Sequence, residues 1–148
     1  MHSETIQLAC PACLIANRVP AARLGEDPKC GKCGAALLPD APLELAESAF
    51  DDFVRRTELP VIADFWAPWC GPCRAMAPQF EQAARELKGK AILAKVDSDA
   101  SPQASSRLAI RSIPTLVLFR NGKEIKRQAG AVQAAQIVSW VQAATQPA

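Results

Sequence analysis

Hydrophobic positions along the chain switch repeatedly between a spacing of two and a spacing of three to four, and the switches lay out a series of elements. Leu43 and Leu45 give a brief apolar alternation, followed by a helical stretch in which Phe50, Phe53 and Val54 share one face and which Leu59-Pro60 ends. Val61 to Trp66 is apolar except for Asp64 and reads as a strand. After a cysteine motif, a helix beginning near Arg74 runs to about Leu87 with Met76, Phe80, Ala83, Ala84 and Leu87 on one face, and Pro78 inside it predicts a kink. Ala91 to Val96 forms a further strand, and Ser101-Pro102 reads as an N-cap with proline in the first helical position, opening a short helix toward Leu108. Thr115 to Arg120 and Glu124 to Gln128 flank Asn121-Gly122, whose preference for positive φ marks a hairpin. A last helix, from about Gln133 to Ala144, turns Ala134, Ile137, Val138 and Val141 inward. The predicted order is strand, helix, strand, helix, strand, helix, strand, strand, helix.

Residues 1–40 break with this pattern. They hold four of the six cysteines, no aromatic residue, and the turn formers Pro28, Gly31, Gly34 and Pro39, and they are too few to bury a core unaided. Pro39-Asp40-Ala41-Pro42 reads as a short stiff connector, since each proline restricts itself and its predecessor. The expected division is therefore a small domain at 1–40 and a larger one at 41–148.

Charge adds little. Seventeen lysines and arginines face fifteen aspartates and glutamates, and the basic residues are scattered, which gives no support to nucleic-acid binding. No apolar run approaches the ~20 residues of a spanning helix. Met1 to Cys13 also lacks the basic start and apolar stretch of a secretory signal. Taken as complete, the chain is expected in the cytosol, without a membrane partner.

The six cysteines fall in three identical spacings, Cys10/Cys13, Cys30/Cys33 and Cys70/Cys73. In a reducing compartment such pairs suggest metal or redox chemistry rather than structural disulfides. His2 is the only histidine and lies at the terminus, so Ser-His and Cys-His hydrolase mechanisms are not expected. Trp69-Cys70-Gly71-Pro72-Cys73 stands between a strand and a helix. Two cysteines so spaced close a small disulfide ring, and a helix N-terminus favours the thiolate that attacks first. The chemistry expected is thiol-disulfide exchange.

Four segments, Ala63-Asp-Phe-Trp-Ala-Pro-Trp-Cys-Gly-Pro-Cys-Arg74, Lys95-Val-Asp97, Ile110-Arg-Ser-Ile-Pro-Thr115 and Phe119-Arg-Asn-Gly122, resemble the thioredoxin family in matching order. With the N-terminal cysteine pairs, the whole chain resembles the bacterial thioredoxin 2 subtype, which carries a zinc ribbon ahead of the thioredoxin fold. The resemblance implies an α/β fold, a central mixed sheet flanked by helices, preceded by a small zinc-ribbon domain. It implies a protein disulfide reductase, recharged by an NADPH-dependent flavoprotein thioredoxin reductase and holding no tightly bound organic cofactor.

By the same resemblance Cys70 is the exposed nucleophile and Cys73, one turn further in, the shielded resolving thiol. Gly71 and Pro72 between them tune the potential toward a reductant rather than an oxidant. Asp64, as the central strand's charge among parallel neighbours, should be covered on both faces. Burial would raise its pKa and suit it to take the Cys73 proton, with Lys95 on the neighbouring strand as its partner. Pro114 is the cis-proline that lets the Ile113 backbone pair with an extended substrate. Trp69 borders the cysteines, Trp66 packs beneath them, and Gly130 permits close approach of a substrate chain.

Cys10-Pro-Ala-Cys13 and Cys30-Gly-Lys-Cys33 are separated by sixteen residues, within the spacing that lets two knuckles converge on one structural zinc. Gly31 and Gly34 are expected to permit the tight turns that aim backbone amides at the sulfurs. Four thiolates on a divalent ion carry a net charge of minus two, which Lys29 and Lys32 partly offset. Oxidation that expels the ion would make the ribbon a redox sensor.

Overall fold

The computed structural model describes residues 4–145, so His2 lies outside the described residues. The N-terminal part is an antiparallel hairpin, β1 (Thr5–Ala9) and β2 (Ala16–Pro20), followed by a 3-10 turn at Ala21–Glu26. The remainder runs β3 (Leu43–Glu44), α1 (Glu47–Arg56), β4 (Val61–Trp66), α2 (Gly71–Glu86), β5 (Ile92–Asp97), α3 (Pro102–Arg107), β6 (Thr115–Arg120), β7 (Lys123–Ala129) and α4 (Ala134–Thr145). Its strands form one sheet in the order β3-β5-β4-β6-β7.

β4 is central, as expected, but its neighbours do not both run parallel to it. It pairs parallel with β5 and antiparallel with β6, and the tight hairpin that follows β6 turns the chain back at the sheet edge. Asn121 and Gly122 in that hairpin take φ of 53° and 81°, the pair of positive values its two-residue turn demands.

The alternation along β4 divides the core in two. Ile62 points with Leu93, Leu116 and Leu118 toward α2 and α4, where Met76, Phe80, Ala83 and Ile137 close over it. Each wholly enclosed side chain of this size stabilises the fold by about 1.5–3 kcal/mol. Ala63 and Phe65 face the other way, toward α1, and Phe50 meets the rings of Phe65 and Phe119 edge-on at 5.9 and 5.6 Å. Asp64 shares its strand face with Ile62, the face that carries α2. On α4, Val138 is only half-buried, with Ala134, Ile137 and Val141 carrying the contact.

Two helix starts differ from expectation. α2 begins at Gly71, not near Arg74, because Pro72 sits in the first turn, where a missing N–H costs nothing. The helix runs on through Pro78 to Glu86. At α3, Ser101 holds the N-cap position without a side-chain bond, and the Ala104 N–H donates instead to Glu47 Oε2 at 2.7 Å. A residue of α1 thus caps α3 across the fold.

The ribbon hairpin packs on the α1 side. Leu8, Ala9, Val19 and Leu37 are enclosed in the same apolar cluster as Phe53 and Val54. The outer edge of β1 is bound by the segment after α1. The Gln7 N–H donates to Glu58 Oε1 at 2.6 Å, the Glu58 N–H returns to the Gln7 carbonyl at 2.8 Å, and the Ala9 N–H donates to the buried Thr57 hydroxyl at 3.3 Å. Arg56 donates to the Leu14 carbonyl at 2.8 Å.

Candidate functional site

β4 delivers the chain to Ala67 and the exposed Pro68-Trp69, and the turn that follows makes Cys70 the N-cap of α2. The Cys73 N–H donates to Cys70 Sγ at 3.2 Å, so the first sulfur receives one of the helix's unpaired donors. Cys70 and Cys73 are joined in a disulfide, their Cα atoms 5.2 Å apart. The expected contrast in exposure is small. Cys70 is 4% and Cys73 2% exposed, because Ala67, Trp66 and Ile113 pack around both sulfurs. What projects is the rim: Gly71 and Pro72 are exposed, and Trp69 is 66% exposed, its indole N–H donating to Asp99 Oδ2 at 2.6 Å.

The Ile113–Pro114 peptide is cis, and the Ile113 carbonyl oxygen lies 3.8 Å from Cys70 Sγ. Two bonds hold this loop: the Gly130 N–H donates to the Pro114 carbonyl at 2.8 Å and the Thr115 hydroxyl to the Ser112 carbonyl at 2.7 Å. Gly130 has a φ of 92°, a conformation that a side chain would strain. Ile113 thus stands against the sulfur pair, and Gly130 is hydrogen-bonded to Pro114, the residue after Ile113.

Asp64 is 1% exposed and its Oδ1 has no hydrogen-bond partner among the described residues. Burial, opposed only in part by the Lys95 charge, pushes its pKa up to about 7. Lys95 is opposite Asp64 in the β4–β5 register but does not form the expected ion pair with it. Its ammonium stands 4.0 Å over the Trp66 ring, at a cleft of about 300 Å³ that Glu44, Glu47 and Asp97 also line. The aromatic face and nearby carboxylates draw the cation outward, whereas closing on Asp64 would require desolvating it.

A carboxyl so placed makes stability depend on pH. Below 3.8 it is neutral in folded and unfolded chains alike; as the pH climbs toward 7 the unfolded chain ionises first and stability is lost. A rise of this size corresponds to about 4 kcal/mol. Asp64→Asn is therefore expected to unfold at higher denaturant than the parent at pH 8 and at the same concentration at pH 3.5. Equal midpoints at both values would show that Asp64 carries no burial penalty.

The four remaining cysteines converge. Their sulfurs all lie within 4.8 Å of one another, with Cys10 and Cys33 3.5 Å apart and Cys13 and Cys30 3.7 Å apart. Four sulfurs at ~2.3 Å from a tetrahedral zinc would stand about 3.8 Å apart, so the donor set fits this ion. Each knuckle closes alike: Leu14 and Gly34 return an N–H to the Cys10 and Cys30 carbonyls at 2.8 and 2.9 Å, both with positive φ. Gly34 has the expected left-handed turn, but Gly31 does not take a positive φ. Backbone N–H groups of Ala12 and Cys13 reach Cys10 Sγ at 3.3 and 3.4 Å, and that of Lys32 reaches Cys30 Sγ at 3.4 Å. Donors from the Cys33 backbone and then Lys32 lower the Cys30 thiol to about 6, whereas a hydrogen bond with Cys10, together with burial, raises that of Cys33.

Three residues at these sites carry no signal in the sequence: Asn17, Arg56 and Asp99. Asn17 touches the cysteine cluster, Arg56 ties the first knuckle to α1, and Asp99 holds Trp69. Each is an ordinary surface residue type in an unremarked position, with no spacing to expose it.

A cysteine pair in disulfide at a helix start, against a cis-proline loop on a five-stranded mixed sheet, defines a thiol-disulfide oxidoreductase. The Thioredoxin family model matches residues 41–143, and the model described as Thioredoxin 2, N-terminal, a zinc ribbon, matches residues 9–35. The chain is 42% identical to Thioredoxin C-3 of Corynebacterium nephridii over 134 residues, covering 90% of this chain and 92% of that protein. It is 44% identical to Thioredoxin 1 of Nostoc sp. over 92 residues, 62% of this chain and 86% of that one. The structure of a mutant thioredoxin from Halobacterium salinarum NRC-1 superposes with a TM-score of 0.68 at 31% identity, over 75% of this chain and 96% of that one. The chain belongs to the thioredoxin family. It is an oxidoreductase that reduces protein disulfides, on a thioredoxin fold preceded by a zinc ribbon. No helix among the described residues is long and apolar enough to cross a membrane.

Proposed function

We propose that the chain is a general protein disulfide reductase working through Cys70-Gly71-Pro72-Cys73, recycled by an NADPH-dependent thioredoxin reductase. The Cys70 thiolate attacks one sulfur of a substrate disulfide, forming a Cys70–substrate bond and releasing the other substrate sulfur as a thiolate. Asp64 accepts the Cys73 proton, and the Cys73 thiolate attacks Cys70 Sγ, expelling the second substrate sulfur. Two electrons pass to the substrate, and the chain is left with the Cys70–Cys73 disulfide. Lys95 moderates the Asp64 carboxyl by its charge. The substrate lies extended against Ile113 and Pro114, between Trp69 and Gly130, over Gly71 and Pro72.

The observation that carries this reading is the sulfur pair at the head of α2, with Cys70 Sγ accepting the Cys73 N–H and standing against the Ile113 carbonyl. The same reading assigns residues 1–40 to a ribbon domain in which Cys10, Cys13, Cys30 and Cys33 hold one structural zinc, released on oxidation, and 41–148 to the thioredoxin domain. It places the protein in the cytoplasm, with no nucleic-acid partner. A coupled assay tests it: with NADPH and thioredoxin reductase, the purified chain should reduce a disulfide-bonded protein catalytically, and NADPH that stays unoxidised would overturn the proposal.

A further inference from the structure

Among the described residues, the four-cysteine cluster receives one side-chain hydrogen bond from beyond its own knuckles, which the sulfur chemistry does not by itself require. Asn17, on β2, lies between the two knuckles. Its Nδ2 donates to Cys30 Sγ at 3.6 Å and to the Ile15 carbonyl at 3.2 Å, while its Oδ1 accepts the Gly31 N–H at 3.0 Å. The orientation of the amide is fixed by these partners. The Gly31 N–H can only donate, so the oxygen must face it; the nitrogen then faces the carbonyl and the sulfur, both acceptors.

Asn17 thereby joins what the backbone leaves separate. Ile15 also accepts the Cys10 N–H, at 2.9 Å, so it belongs to the closing turn of the first knuckle. Gly31 directly follows Cys30 and lies in the turn of the second. One side chain holds the first knuckle by its carbonyl and the second by its amide and its first sulfur. Four thiolates around a divalent ion carry excess negative charge, and a donor on a ligand sulfur withdraws part of it; a neutral amide supplies that donor without adding charge of its own.

We infer that Asn17 is a positioning residue of the zinc centre, setting metal affinity and the electron density on the Cys30 sulfur by bridging the two knuckles. The inference rests on the zinc reading above. It goes beyond that reading in giving the site a fifth determining residue, from β2, outside both cysteine pairs.

The test uses the full chain, with zinc affinity measured by competition against a chromophoric chelator and with cobalt(II) substituted for zinc as a spectroscopic probe. Asn17→Ala should weaken zinc binding by about tenfold to a hundredfold, the range expected for loss of a group that orients a ligand. Asn17→Asp retains the acceptor for Gly31 but sets an anionic oxygen against Cys30 Sγ, and should bind zinc at least as weakly. In both variants the sulfur-to-cobalt charge-transfer band should move to longer wavelength, because a sulfur stripped of its donor gives up an electron more easily. A residue that only stiffened the hairpin would leave that band in place. Unchanged affinity and an unchanged band in either folded variant would overturn the inference while the zinc reading stands. A parent chain that takes up no zinc would overturn both, and the two failures are told apart by the metal content of the parent.

Discussion

Cys70→Ser should lose protein disulfide reduction altogether, its rate falling by about three orders of magnitude or more, the scale seen when one of several groups acting as a unit is removed. A serine hydroxyl is not ionised at neutral pH, so the donor from the Cys73 N–H and the α2 N-terminus have no anion to stabilise. Cys73→Ser should behave differently. It retains the attacking sulfur and completes the first half of the exchange, then stops with the substrate covalently held on Cys70. Mass spectrometry of Cys73→Ser after incubation with a disulfide-bonded protein should find that adduct, and the Cys70→Ser/Cys73→Ser double variant should be no slower than Cys70→Ser alone. Because both sulfurs are nearly enclosed, the order of attack cannot rest on exposure. It rests on Cys70 being the N-cap, at the mouth formed by Trp69, Pro72 and Ile113, while Cys73 is inside the helix. A covalent adduct on Cys73 in the Cys70→Ser variant, or catalytic turnover without Cys70, would reverse the assignment.

The thioredoxin part is legible in the chain because its signals are local and agree with one another. Val61 to Trp66 is apolar enough to be a central strand, Met76 and Phe80 repeat at helical spacing, and Asn121-Gly122 favours the tight hairpin turn with two positive φ values. The cluster of four cysteines is legible from spacing, since ligand pairs with a fixed interval have few other uses. Elsewhere the deciding partner comes from far along the chain. Ser101 looks like a cap, but Glu47, from another helix, takes the bond. Lys95 looks like the partner of Asp64, but Trp66, two residues beyond Asp64 on β4, offers its ring. The start of α2 lies earlier than its apolar face suggests, because Gly71 and Pro72 bury nothing and so leave no periodic mark on the first turn. The seating of the ribbon on α1 has no sequence signature at all, because Gln7, Thr57 and Glu58 are unremarkable until the fold brings them together.

That seating makes zinc removal the second large effect, and one felt beyond the ribbon. A structural zinc with four thiolates supplies about 10–16 kcal/mol of folding free energy at neutral pH. The ribbon has little to replace it: Leu8, Val19, Leu37 and Leu38 are its buried leucines and valine, and they share one apolar cluster with Phe53 and Val54 across the junction. Stripping the metal with a strong chelator under reducing conditions should therefore open the hairpin rather than merely loosen it. The Glu58 N–H, now protected by the Gln7 carbonyl, and the Ala9 N–H, protected by the buried Thr57 hydroxyl, should exchange with deuterium faster by orders of magnitude, up to the limit set by local opening. Phe53 and Val54 lose one wall of their packing, so the thioredoxin part should also unfold at lower temperature. Amides deep in the sheet on the α2 side, such as those of Leu116 and Leu118, are remote from the junction and should keep most of their protection. Cys30→Ser should reproduce the chelated state without chelator, since three thiolates and a hydroxyl no longer close the ion's shell. If Glu58 and Ala9 exchange at the same rate with and without metal, the hairpin is held by its contacts with α1 alone and the zinc contributes nothing to the junction.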